Sequence, residues 1–425
     1  MAPFLFAQSE LKLPIIEDKN IIRFMRKLIF LTVFCSVALA SMAQLKPRLD
    51  AFPPQSDPSE TKRVDMATTI DQMDSWDRYP TYEVYLAMMQ RYVDSFPQLC
   101  HLDTIGTSVQ GRLVLCLAIT GSEPNDLYRP EFFYSSSMHG DELTGFILML
   151  RLCDTLLGSY GQSADLTQLL NSTRIYINPL ANPDGTYHGG NNTVDRAWRY
   201  NANMVDLNRN YPDPFGTDPL TAIQQENLDM IAYVEQHQFC LSANLHGGSE
   251  VMNYPWDSFT SRQRPNEHAE WWEAVCKRFV DTCRLYDNAR FRDVDNSGVI
   301  EGGDWYVISN GRQDYFNYYH MREVTMELSS TKTISGNNLP RYWHCMAHSL
   351  INYIKEVHNL DEDDTVVVSI PEVAGRQLFL AVPNPTHGPF KVEGERQCYQ
   401  FDFSDRPAGV YVVRVEGRPV KIIKY

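Results

Sequence analysis

Apolar and polar positions begin to alternate regularly near residue 79, and the regularity persists to about residue 358. Residues 82–96 carry apolar side chains at helical spacing and stop at Ser95-Phe96-Pro97, which predicts a helix. Residues 101–108 and 113–120 read as two strands joined through Gln110-Gly111, and 132–136 as a third, buried strand ending in small residues. The pattern then predicts a helix over 143–157, a short helix over 166–170 and a strand over 174–179. A helix over 221–237, a strand over 240–246, a helix over 269–286, a strand over 323–328 and a helix over 342–357 complete the series. Strands alternating with helices predict an α/β fold, a mixed β-sheet flanked by helices.

Both ends depart from this pattern. Residues 25–43 run from a basic start (Met25-Arg26-Lys27) through an apolar stretch to small residues ending at Ala43, which reads as a secretory signal peptide cut after Ala43. Residues 1–24 stand in front of a complete signal, so translation is expected to start at Met25. The apolar run is short for a membrane anchor, and no other stretch is apolar enough to span a bilayer, so the mature chain is expected to have no transmembrane helix. Residues 44–75 are polar and Pro-containing, a loose lead-in. After His358, Asp361-Glu362-Asp363-Asp364 opens a linker over 360–377, and residues 378–425 consist of short β-like runs broken by Pro and Gly, a small all-β C-terminal domain.

Composition narrows the picture. The 425 residues are 43% hydrophobic and 21% charged, as in ordinary globular proteins, and the formal charge of −15 argues against a nucleic-acid partner. Of nine cysteines, Cys35 lies in the signal. Export permits disulfides among the others, but spacing does not give their pairing.

The candidate chemistry begins at His139-Gly140-Asp141-Glu142, between a strand and a helix. A His and a Glu three apart at such a turn can aim a ring nitrogen and a carboxylate oxygen at one point, two of the three protein ligands of a catalytic zinc site. His246, at the end of the apolar run Leu241-Ser242-Ala243-Asn244-Leu245 with Gly247-Gly248 behind it, offers the third. Val324-Thr325-Met326-Glu327-Leu328 places one carboxylate in an apolar strand, where it must face a site or pair with an Arg. Facing the site, Glu327 would serve as base for a metal-activated water. Arg199, after Trp198, and Asn208-Arg209, after Asp206-Leu207, suit a small anion such as a peptide's own terminal carboxylate.

Taken together, residues 76–359 resemble a zinc metallocarboxypeptidase of the carboxypeptidase A type, in its regulatory (N/E) branch. The markers are Met138-His139-Gly140-Asp141-Glu142, Asn182-Pro183-Asp184-Gly185, Asp206-Leu207-Asn208-Arg209-Asn210, Leu245-His246-Gly247-Gly248, Asn253-Tyr254-Pro255 and Glu323-Val324-Thr325-Met326-Glu327-Leu328. The resemblance implies one Zn2+ per chain on His139, Glu142 and His246, with Asp206 orienting the first His. It implies Glu327 as general base, Arg199 as the group steadying the oxyanion, and Asn208 and Arg209 as the grip on the terminal carboxylate. Tyr306 is then the mobile tyrosine closing over the terminal residue. Gln313 is the specificity-pocket residue of a branch preferring C-terminal Lys or Arg. The stretch between Gln313 and Glu327 is one residue shorter than in the family, which bears on pocket depth. The C-terminal runs Val382-Pro383-Asn384-Pro385-Thr386 and Pro407-Ala408-Gly409-Val410-Tyr411 resemble a type IX secretion sorting domain. Its partner is the outer-membrane secretion machinery, and the protein would be released or surface-attached. Two rivals stay open from sequence alone: a cell-wall peptidase of the same fold acting on peptides with D-residues, and a binding protein that kept the fold without catalysis.

Overall fold

The structure, a computed structural model, describes residues 64–122, 129–216 and 219–360, and beyond them backbone strands between 365 and 424. The expected signal peptide and the linker residues 361–364 lie outside the described residues.

The body is an eight-stranded mixed sheet. Its strands in chain order are β1 (Cys100–Thr107), β2 (Leu113–Ile119), β3 (Glu131–Ser136), β4 (Arg174–Asn178), β5 (Phe239–His246), β6 (Ser249–Tyr254), β7 (Val299–Glu301) and β8 (Arg322–Ser329). In space they run β1-β2-β4-β3-β5-β8-β6-β7. The central strands β4, β3, β5 and β8 are mutually parallel, while β6 lies antiparallel to β8. The longer helices are α1 (Tyr82–Ser95), α2 (Thr144–Ser159), α3 (Ala164–Ser172), α4 (Gln225–Glu235), α5 (Ala269–Tyr286), α6 (Arg312–Tyr319) and α7 (Leu339–Lys355). Thr81 caps α1 by accepting from Val84 N, and Ser163 caps α3 by accepting from Leu166 N.

Alternation along the strands sends apolar side chains to both faces, as a sheet covered on both sides requires. Leu115, Leu117, Phe132, Tyr134, Leu245 and Met326 join the core under α1, α2, α5 and α7. Val114, Cys116, Ala118, Phe133 and Phe239 join a second core with Met230, Tyr233 and Val234 of α4 and Tyr315 and Phe316 of α6. The expected fold class, a mixed sheet between helical layers, is the observed one.

The differences have local causes. Helix α4 begins at Gln225 and not at 221, because Asn210 holds the preceding residues in a loop: its Oδ1 accepts from Gln224 N (2.7 Å) and its Nδ2 donates to Ala222 O (3.1 Å). Strands β6 and β7 and helix α6 were not foreseen; β6 is buried along nearly its whole length and shows no alternation to read. Within the expected lead-in, Met66–Ala67 pairs with Tyr79–Pro80, and Ala67 and Met73 are buried in the core. The C-terminal runs form three antiparallel pairs: Thr365–Ser369 with Phe379–Pro383, Phe390–Glu393 with Cys398–Phe401, and Gly409–Val415 with Arg418–Lys424. Cys100, Cys116, Cys153, Cys240, Cys276, Cys283 and Cys345 are buried free thiols. Among the described residues no helix is long and apolar enough to cross a membrane.

One buried ion pair ties α6 to the sheet. Arg312 Nε donates to Glu323 Oε1 (3.0 Å), its Nη2 donates to Glu323 Oε2 (2.9 Å), and its Nη1 reaches Ser135 Oγ on β3 (2.9 Å). Both partners are essentially inaccessible to solvent, so removing one strands the other charge. Glu323→Ala is expected to cost about 3–5 kcal/mol of stability, read as a lowered urea midpoint; an unchanged midpoint would refute the pairing.

Candidate metal centre and substrate cleft

The site sits at the C-terminal ends of β3, β5 and β8, where parallel strands hand the chain to loops. Beyond β3 the chain turns at Ser137, which adopts φ 56°, and Ser137 Oγ donates to Glu142 O (2.8 Å). This tight turn brings His139 and Glu142 to one side before α2 begins. The Asn182-Pro183-Asp184-Gly185 marker clamps it. Asn182 Nδ2 donates to Met138 O (3.1 Å), and Thr186 Oγ1 donates to Gly140 O (2.8 Å). The backbones meet so closely that a Cβ on Gly140 would lie 2.3 Å from the Gly185 carbonyl carbon. Gly140 N in turn donates to Arg199 O (3.3 Å), fixing the Arg199 loop beside the turn.

His246 ends β5, and parallel register sets it directly beside Glu327 of β8. His139, Glu142 and His246 converge, all buried. His139 Nδ1 and His246 Nδ1 lie 2.9 and 2.8 Å from Glu142 Oε2 and 3.0 Å from each other. Donors on a tetrahedral zinc stand about 3.3 Å apart, so a few tenths of an ångström of spreading would admit the ion. Burial pushes the His246 imidazole down to about 4, which keeps it neutral and able to ligate at physiological pH. Burial alone would raise the Glu142 carboxyl, but His139 and His246 pull it well below the usual range. Its other oxygen, Oε1, faces Lys332 Nζ (3.3 Å) and Arg199 Nη1 (3.4 Å). Asp206 Oδ1 lies 3.1 Å from His139 Nε2, and Asp206 Oδ2 accepts from Arg199 Nε (2.8 Å). Against the effect of burial, His139 and Arg199 hold the Asp206 carboxyl far below its ordinary range.

Glu327 behaves in the opposite way. Only 9% exposed, it has a buried Oε2 with no hydrogen-bond partner. Burial, reinforced by Glu142, pushes its carboxyl well above the ordinary value. The strand's two carboxylates thus divide: Glu323 takes an arginine, and Glu327 opens onto the cleft. His139, Arg199, Asn208, His246, Asn253, Asp257, Tyr306, Ile308, Thr325 and Glu327 line that cleft. Asn208 Oδ1 accepts from Arg312 N (2.9 Å), leaving its amide nitrogen to donate. Arg209 is half-buried behind Asn208, its Nη1 donating to Asn208 O (2.7 Å). Tyr306, 37% exposed, packs edge-on against Trp305 at the rim.

Gln313 lies behind the wall. Its Oε1 accepts from Thr325 N (2.6 Å), and its Nε2 donates to Asp257 Oδ1 (2.9 Å) and Asn253 Oδ1 (3.2 Å). Asp257, like Ile308, is a cleft residue that the sequence did not single out. It is 3% exposed, and burial and then Asp314 raise its carboxyl well above the ordinary value. Asp314 accepts from the backbone N of Asp257 (2.7 Å) and Ser258 (2.8 Å), fixing the loop. The available signal was position: Asp257 follows the Asn253-Tyr254-Pro255 marker by two residues.

Three buried donors opening on a cleft, faced by a carboxylate with a free oxygen, define a mononuclear metal-hydrolase site on an α/β sheet. The chain belongs to the zinc carboxypeptidase family (M14 peptidases), whose sequence profile matches residues 85–356. Zinc is the cofactor of that family, and the donor set fits it. The chain is 35% identical over 306 residues to carboxypeptidase M of Mus musculus, covering 66% of each. It is 33% identical over 297 residues to carboxypeptidase D of Mus musculus, covering 66% of this chain and 21% of that protein, so it spans about a fifth of that relative. In structure it resembles thrombin-activatable fibrinolysis inhibitor, with a TM-score of 0.59 and 17% identity over 67% of this chain and 76% of the other. Carboxypeptidase A from Helicoverpa armigera gives a TM-score of 0.59 and 18% identity over 70% and 78%. These structural likenesses speak for the fold.

Gly140→Ala is expected to push the turn and the Asn182–Thr186 segment apart, costing about 1–3 kcal/mol and weakening zinc binding. A thermal melt with and without zinc reads both effects, and a variant matching the wild type in each would show that the close approach is immaterial.

Proposed function

We propose that this protein is a secreted zinc carboxypeptidase that removes one C-terminal residue from peptides or proteins, preferring Lys or Arg. The convergence of His139, Glu142 and His246 on one point, with the unpartnered Glu327 oxygen in the same cleft, carries this reading. Zinc, held by those three side chains, would supply a Lewis acid that polarises the scissile carbonyl and acidifies water. Glu327 takes the proton of the attacking water at its free oxygen and returns it to the leaving amine; its raised affinity for protons suits both steps. Arg199, fixed by Asp206, steadies the developing oxyanion. Asn208 and Arg209 grip the terminal carboxylate, Tyr306 closes over the terminal residue, and Asp206 orients His139. Asp257 pairs with the substrate's cationic side chain, and Gln313 holds Asp257 in place. The pocket carboxylate and the regulatory-branch markers support the basic preference.

Export rests on the 25–43 signal pattern, and passage across the outer membrane on the resemblance of residues 378–425 to a type IX sorting domain. We place the catalytic domain at 76–359, extended by the core residues Ala67 and Met73, and the linker within 360–377, a stretch in which Thr365–Ser369 pairs with Phe379–Pro383.

Glu327→Gln is expected to bind zinc as the wild type does and to lose at least about a hundredfold in turnover of a peptide ending in Arg. Retained turnover would remove Glu327 as the base, and absence of zinc from the wild type would sink the whole reading.

The preference for Arg should depend on pH. A cation binds the ionised form of Asp257, whose carboxyl is raised, so the preference is present above that raised value and is lost as pH falls through it. The ratio of kcat/KM for peptides ending in Arg and in Ala cancels the shared titration of the catalytic groups and isolates this effect. In Asp257→Asn the ratio should be lower by about thirtyfold or more and flat with pH; a ratio as high as the wild type's would assign the preference elsewhere.

A further inference from the structure

We propose that Asn244 is a positioning residue of the metal centre: its side-chain oxygen accepts the Nε2 proton of His246 and so presents a bare Nδ1 to the metal. The proposal rests on the zinc reading above and adds a residue to it.

Asn244 precedes His246 by two positions on β5, so the two side chains share one face of the sheet. It is wholly buried. Its Nδ2 lies 2.7 Å from His246 Nε2 and 3.0 Å from Met138 Sδ, while its Oδ1 is buried without a partner. With the amide in that sense, Nε2 must be bare, and a neutral ring then carries its proton on Nδ1. That is the atom facing Glu142 Oε2 at 2.8 Å and His139 Nδ1 at 3.0 Å. A protonated ring nitrogen has no lone pair for a metal. A neutral imidazole ligates through Nδ1 only with its proton on Nε2, and a buried proton of that kind needs an acceptor.

The Asn244 amide is the sole hydrogen-bonding group at His246 Nε2 among the described residues. A half-turn about its Cβ–Cγ bond exchanges oxygen and nitrogen with almost no change of shape. The oxygen then meets Nε2–H and gains the partner it lacked. What is lost is a contact with the Met138 thioether, a weak acceptor. The result parallels the other imidazole, whose Nε2 faces Asp206 Oδ1 at 3.1 Å. Both rings are then locked from the side away from the metal, a charged acceptor on one and a neutral acceptor on the other.

Zinc affinity, read by competition with a chromophoric chelator, tests the assignment without recourse to turnover. Asn244→Ala should bind zinc about 10–100-fold more weakly than the wild type, and Asn244→Asp, which restores an acceptor, should recover most of the loss. Equal affinity in the Ala variant overturns the proposal. The second measurement needs no variant: in zinc-loaded wild-type protein labelled with 15N-histidine, the His246 spectrum should show a proton on Nε2, and a bare Nε2 overturns it. Failure of the wild type to take up zinc would instead strike the zinc carboxypeptidase reading itself.

Discussion

Two ring nitrogens and a carboxylate oxygen stand within 3.0 Å of one another where almost no solvent reaches. Gathering electron-rich atoms this closely in a region of low dielectric is unfavourable unless a proton or a cation sits among them. The rest of the site is arranged to sustain that crowding. Asp206 and Asn244 contact the two rings from behind, while Lys332 and Arg199 face the second carboxylate oxygen of Glu142. The same convergence makes the family assignment chemically sensible, because the three donors form a set that could hold a divalent ion.

The sheet makes the convergence rigid. Parallel strands end together on one side, and the register that sets His246 beside Glu327 fixes a candidate metal donor next to a carboxylate, with the ladder holding both backbones. The His139 turn has no such ladder and is held instead by a second piece of backbone. A Cβ on Gly140 would run into the Gly185 backbone, and one on Gly185 into Tyr200 O and Asn182 Nδ2, so neither position has room for a side chain and the loop becomes a rigid mount.

Environment gives chemically identical carboxylates separate tasks. Glu142, next to two imidazoles, stays ionised; Glu327, buried with a free oxygen, is driven toward its neutral form; Glu323, four residues earlier on the same strand, is neutralised by Arg312. Asp257 shares Glu327's direction, raised by burial and then by Asp314, whose own oxygens accept from backbone N–H groups. In the proposed mechanism, divergence of this sort separates ligand, base, scaffold and pocket floor.

The sequence by itself determined the sheet strands with clear alternation, the long amphipathic helices, and the ligand and base candidates, because short-range periodicity and turn chemistry are local properties. It favoured a site over an arginine for Glu327, although both satisfy a lone carboxylate in an apolar strand. Only the tertiary structure decided that Arg312 belongs to Glu323. Only there does α6 become a helix: its first turn, Arg312-Gln313-Asp314, is polar in sequence yet buried, and its partners are on β8, β6 and the Asp257 loop. Asp257 was illegible for the same reason. A carboxylate three residues past a strand comes to line a cleft only when residues distant in the chain close around it, and nothing in its neighbours along the chain records that.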